Sequence, residues 1–125
     1  MEKRRARRIE NAEFRVLDAL QLSELKEQPF DNAIDCGLFH IFENEKRAIY
    51  VKSLCSALHR GGKYIMLCFS EFEPKEWGGP RRVTQEAIRE SFADGWKVDY
   101  IKDARLESHL HDGGGRAWLS SVTRL

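Results

Sequence analysis

The sequence contains no G-x-G-x-x-G, and no apolar run near the roughly 18 residues that a membrane-spanning helix needs. Net charge is almost absent. Lys and Arg number 21 against 20 Asp and Glu, leaving +1, so no whole-molecule field draws the chain to nucleic acid. Cysteine is scarce and odd in number. Cys36, Cys55 and Cys68 are spaced too widely for a zinc ribbon. They lie in apolar runs and read as buried, reduced thiols, as expected in a reducing compartment. The opening residues, MEKRRARRIEN, lack the apolar core of a secretion signal, so the expected location is the cytoplasm. The run His109-Leu110-His111-Asp112 looks like part of a metal site, yet no third or fourth ligand is spaced to join it. No metal is expected.

What is present suits one soluble domain spanning residues 1–125, with 42% hydrophobic and 33% charged residues. Residues 3–8 (KRRARR) place five positive charges in six positions and read as a solvated helix end or, as the rival reading, a phosphate-binding patch. Glu13–Leu17 alternates polar and apolar residues, which predicts a half-buried strand ending at Asp18-Ala19. A helical turn is expected over Ser23–Glu27 before Pro29. Phe30–Cys36 predicts a second strand with a turn at Gly37. Asn44 is a suitable N-cap for a helix running to about Arg60, with Val51, Leu54, Cys55 and Leu58 as its apolar stripe. Gly61-Gly62 supplies its stop.

Lys63–Phe69 is almost unbroken apolar sequence, the pattern of a central strand covered on both faces. Residues 70–82 hold two of the three prolines and read as a loop. Thr84 predicts a helix cap, with Ile88 and Phe92 facing inward and Gly95 ending the helix. Trp96–Ile101 and Arg116–Arg124 predict strands on either side of the His111–Gly115 turn. The alternation of strands and helices implies an α/β sheet, mostly parallel, with an antiparallel C-terminal hairpin and helices on both faces.

The runs NAEFRVLDAL, FDNAIDCGLFHIF, SALHRGGKYIMLCFS and WGGPRRVTQEAIRESFADGWKV together resemble the C-terminal part of a class I, Rossmann-like S-adenosylmethionine-dependent methyltransferase. The resemblance covers nearly the whole chain. It implies a sheet order of 3-2-1-4-5-7-6, with the five strands here matching the last five of that fold. The first two strand–helix units, which carry the glycine-rich cofactor turn and the acidic residue for the ribose, have no counterpart. At ~30 residues per unit, the missing portion is on the order of 60–70 residues. The resemblance therefore implies a shortened methyltransferase, weak or inactive alone, acting on a small molecule.

The same resemblance places Asp18 and Ala19 at the adenine, and Asp35, Cys36, Gly37 and Leu38 beside the sulfonium. Asp35 or His40 is a candidate base if the acceptor must lose a proton. Phe39, His40, Ser70, Trp77 and Arg81 are candidates for the substrate side. The plainer readings are that Asp18 caps a turn, Asp35 makes a structural hydrogen bond and His40 is a satisfied core histidine. Phe39, Phe42, Phe69, Phe72 and Trp77 could line a pocket or simply pack.

Without the first two units, the strand at 30–36 has an open apolar edge. A homodimer through that edge, or through an exchanged N-terminal unit, is expected. The alternative to an enzyme is a non-catalytic dimeric binding or assembly module.

Overall fold

The apolar run in the middle of the sequence becomes the centre of the sheet. β2, Leu58–Phe69, has β1, Phe30–Cys36, on one side and β4, Gly115–Arg124, on the other, with β3, Trp96–Leu106, outside β4. β1 runs parallel to β2, from Asn32 opposite Lys63 to Cys36 opposite Leu67. β4 is antiparallel to both β2 and β3. The order β1-β2-β4-β3 is the one that the resemblance implies for its last four strands. A computed structural model describes residues 12–13, 15–25, 28–72, 82–106 and 115–125.

Two helices, α1 (Asn44–Ala57) and α2 (Gln85–Ser91), cover one face of this sheet. Tyr64, Met66 and Cys68 of β2 point into that layer with Val122 of β4. There they meet Tyr50, Val51 and Leu54 of α1 and Ile88 of α2, followed by Phe92. Each fully buried side chain of this size contributes roughly 1.5–3 kcal/mol. The alternate residues of β2, Ile65, Leu67 and Phe69, are only half-buried. The expectation that β2 is covered on both faces therefore holds for one face among the described residues. The basic run at 3–8 lies outside them.

Local chemistry explains the helix boundaries. Thr84 accepts the Ala87 backbone N–H at 3.0 Å and caps α2 as expected. Asn44 does not cap α1. Glu43 occupies the cap position without a side-chain bond, and Asn44 Oδ1 instead accepts from Arg47 at 3.5 Å. α1 stops at Ala57, earlier than the apolar stripe suggested, and Leu58 already belongs to β2. Gly62 sits in the irregular step that follows. A Cβ there would stand 2.8 Å from the His59 carbonyl oxygen and 2.9 Å from that of Asp31, so only glycine lets the two strands approach.

The strand expected at Glu13–Leu17 is not formed by the described residues of that segment. Its described residues carry no strand pairing; Val16 is fully exposed and Leu17 is 45% exposed. Alternation is a local signal, whereas a strand needs a neighbour to bond, and no described strand lies beside this segment. The helical turn comes earlier than expected, as a 3-10 helix at Ala19–Glu24. It rests on α1 through Ser53, whose hydroxyl donates to the Ala19 carbonyl and accepts from Leu22 N, both at 2.8 Å. The outer edge of β1 has no partner strand among the described residues.

Candidate functional site

Parallel strands of an open α/β sheet present ligands at their carboxyl ends. Here β1 ends at Cys36, and the chain turns through Gly37 (φ +92°) into a short 3-10 helix, Phe39–Ile41. Asp35, just before this turn, is buried and organises it. Its Oδ1 accepts from Leu38 N at 2.8 Å and its Oδ2 from Phe39 N at 3.0 Å. The Tyr50 hydroxyl of α1 donates to Oδ2 at 3.1 Å, and the Tyr64 hydroxyl of β2 donates to the same atom. The two phenols also lie 3.2 Å apart.

Four donors therefore surround one carboxylate. Burial raises the Tyr50 pKa above its ordinary value, and the Asp35 charge adds to the shift. Tyr64 is raised by burial and then by Tyr50 and Asp35. Both phenols stay protonated and act as fixed donors.

His40 is 3% exposed. Its Nδ1 accepts the Phe69 backbone N–H at 3.0 Å, and its ring stacks on Phe69 with centroids 5.0 Å apart. Burial lowers its pKa. The Asp35 charge opposes that shift, while Arg82 reinforces it. The imidazole is neutral, and an Nδ1 that accepts leaves the proton on Nε2. Nδ1 is no free base; it holds the end of β2.

The other candidates divide by position. Gly37 N donates to the Leu67 carbonyl at 3.0 Å, so the turn is tied to β2 by its backbone as well. Leu38 is half-buried beside it, and Cys36 is exposed. Exposure of Cys36 corrects the expectation that all three thiols are buried; Cys55 is half-buried and Cys68 fully so. Alternation along β1 sends Asp35 to the helix face and Cys36 to the opposite one. Burial pushes the Cys68 thiol up to about 12, leaving it inert.

Ser70 is fully buried at the end of β2, with its N–H bonded to the Arg116 carbonyl and its hydroxyl accepting from Phe72 N at 3.2 Å. Asp18 is exposed and its Oδ1 accepts from Leu20 N at 2.9 Å, the role of a cap on the 3-10 helix. Ala19 is half-buried there. Trp77 and Arg81 lie outside the described residues, as do His109, His111 and Asp112.

The aromatic residues also separate. Phe39, expected on the substrate side, is 0% exposed. It stacks on Phe92 with centroids 5.8 Å apart, beneath the Arg47 guanidinium at 4.7 Å. A ring with no free surface is core, and that corrects its assignment. Phe72 stays 55% exposed against Trp118, whose indole N–H donates to Glu71 at 3.0 Å.

The sequence reading did not single out Tyr50 and Tyr64. A signal was available, because a phenol amid apolar neighbours must find a polar partner when buried. Its partner, Asp35, lies 15 and 29 residues away.

No helix among the described residues is long and apolar enough to cross a membrane. The thiopurine S-methyltransferase (TPMT) family model matches residues 2–120. The 2-heptyl-1-hydroxyquinolin-4(1H)-one methyltransferase of Mycobacteroides abscessus is 35% identical over 91 residues, covering 70% of this chain and 40% of that protein. A solved structure described under the conversion of a disulfide bond into a thioacetal group during echinomycin biosynthesis superposes with a TM-score of 0.83 at 27% identity. The match covers 98% of this chain and 59% of that one. A SAM-dependent methyltransferase from Methanosarcina mazei shares the fold, with a TM-score of 0.74 at 16% identity over 92% of this chain and 68% of its own. The chain thus spans 40% of the length of the first and 59% of the second, under two thirds of each. From the match over residues 2–120 and the shared sheet order, the chain belongs to the thiopurine S-methyltransferase family of class I methyltransferases.

Proposed function

We propose that the chain forms the acceptor-side portion of an S-adenosylmethionine-dependent methyltransferase for a small molecule, with weak or no activity by itself. The observation that carries this is the carboxyl end of the parallel pair β1–β2. There Asp35 and His40 fix the turn Gly37–Ile41 while Cys36 and Leu38 remain at or near its surface. Fixed geometry is what methyl transfer needs, since the reaction is a displacement at carbon and gains mainly from positioning. The relative acting on a hydroxyquinolone suggests a flat aromatic acceptor of that type.

The described residues fit only one side of the methyl donor. Bound S-adenosylmethionine would supply an electrophilic methyl group on sulfur. Cys36 and Leu38 offer surface beside such a sulfur, and Asp18 and Ala19 are candidates for its adenine. Three backbone N–H groups of this turn are not open to its methionine carboxylate. The N–H groups of Gly37, Leu38 and Phe39 are already bonded to Leu67 and Asp35. In this reading the residues of the chain orient an acceptor and exclude water, while Asp35 and His40 hold the frame and take no proton. The three free thiols suit a reducing, cytoplasmic setting.

Calorimetric titration of the full chain with S-adenosylhomocysteine tests the proposal, paired with transfer of labelled methyl to a hydroxyquinolone. Binding near millimolar with slow or absent transfer is expected. Micromolar binding and rapid turnover by the chain alone would overturn the weak-alone part. A complete lack of binding would favour the second reading, a non-catalytic dimeric module. The exposed β1 edge, with Ile34 81% accessible, specifically favours that reading.

A further inference from the structure

β1 ends at Cys36, but β2 continues to Phe69. Beyond the end of β1, the Phe69 peptide would face that side without a strand to bond. Two other groups take the place of the strand. His40 Nδ1 accepts the Phe69 N–H at 3.0 Å, and the Phe69 carbonyl accepts from Val83 N at 2.9 Å. Three segments therefore meet at one residue: the turn after β1, the end of β2, and the stretch entering α2. The His40 bond is made by a side chain that titrates near neutral pH, while the permanently charged Arg82 guanidinium lies 5.3 Å from the Phe69 ring centroid.

We infer that His40 is a pH-responsive clip, which in its neutral form bonds the turn after β1 to the end of β2 and on protonation releases it. An imidazolium carries two N–H donors and no acceptor, so a proton on Nδ1 would face the Phe69 N–H directly. The site is nearly closed to water, with His40 3% exposed between Phe69 and Gly37. The charged groups facing it are Asp35 from β1 and Arg82 from the segment before α2; β2 contributes the uncharged Phe69. A backbone bond to Gly37 favours the proton, and so, more strongly, does Asp35. Its two oxygens are already engaged by Leu38, Phe39, Tyr50 and Tyr64, so its geometry is fixed and it cannot swing to meet an imidazolium. Burial and Arg82 act the other way. Protonation then has one low-cost outlet, breakage of the Phe69 bond with exposure of the ring. This device does not depend on methyl transfer, because it concerns the frame of the turn and not its ligand.

The test is amide hydrogen exchange at Phe69 in the full chain, expressed as protection relative to the intrinsic rate. It is measured at neutral pH and about one unit below the ordinary histidine value of ~6.5. The wild-type protein is expected to lose roughly tenfold protection at Phe69 across this range. His40→Asn places an amide oxygen near the Nδ1 position and does not titrate, so its Phe69 protection is expected to stay constant. The imidazole nitrogen shifts of the wild-type protein are expected to show protonated Nε2 and bare Nδ1 at neutral pH. Equal pH dependence in wild type and His40→Asn would overturn the inference. So would a protonated Nδ1 at neutral pH, a result that needs no variant to fold.

Discussion

The Tyr50 hydroxyl stands 3.1 Å from Asp35 Oδ2, and this bond joins the longest helix to the end of the edge strand. Tyr64 approaches the same oxygen from β2, so one carboxylate links three elements of the sheet and helix layer. Removing it leaves two backbone N–H groups without an acceptor and the two buried phenols with only each other. Asp35→Ala is expected to destabilise the fold by about 3 kcal/mol, and Asp35→Asn by somewhat less, because one acceptor oxygen remains. Urea unfolding measures both. A loss of catalysis with unchanged stability would instead make Asp35 a chemical participant.

Gly37 adopts φ +92° in the turn after β1. A Cβ there would meet only His40 Nε2 and Cε1, at 3.5 and 3.7 Å, which is ordinary contact. The cost of Gly37→Ala is therefore backbone strain, about 1–2 kcal/mol. Thermal unfolding should show the loss, and a melting temperature equal to that of wild type would contradict the turn geometry.

Asp99 occupies the irregular step in β3 between Val98 and Tyr100. Its Oδ2 accepts from Thr123 at 2.7 Å and from Lys63 and Ser121 at 3.1 Å. Burial works against its charge, but bonds from Thr123, Lys63 and Ser121 outweigh burial and hold its pKa below 3.8. A carboxylate depressed in the folded state contributes stability above its unfolded pKa and loses it as pH falls through the folded value. Asp99→Asn should cost about 1–2 kcal/mol near neutral pH. The gap to wild type should narrow below pH 3.8. Denaturation at a series of acidic pH values checks the sign.

Ile34 lies opposite Ile65 in register and is 81% exposed on the strand whose outer edge has no described partner. If a second copy covers that edge, Ile34→Lys should convert a dimer to a monomer, because a charge on an edge strand opposes pairing. Light scattering after size exclusion reads the mass of each. A wild-type protein that is already monomeric would remove the dimer from consideration.

Much of the fold was legible because its signals are local. The apolar run 63–69, the Thr84 cap and the inward pair Ile88 and Phe92 each follow from a few neighbouring residues, and each stands where expected. Glu13–Leu17 carries an equally local alternation, yet its described residues form no strand, because a ladder also requires a neighbour that the described chain does not supply. The site was legible in outline only. Asp35 and His40 were recognised as residues of consequence, but a carboxylate or an imidazole can serve chemistry or structure, and the choice lies with whatever meets it. For Asp35 that is Tyr50 and Tyr64; for His40 it is the Phe69 peptide, 29 residues on.

The sequence by itself determined the order of strands and helices from Phe30 onward, the apolar faces and the resemblance to class I methyltransferases, since periodicity, caps and turn residues act over short stretches of chain. Only the tertiary structure decided that Phe39 is core and Cys36 is exposed, and that the polar groups at the end of β1 are spent on holding the turn. Those outcomes depend on which distant groups come within hydrogen-bonding reach after the sheet assembles, and the direction and strength of a hydrogen bond are fixed by that approach.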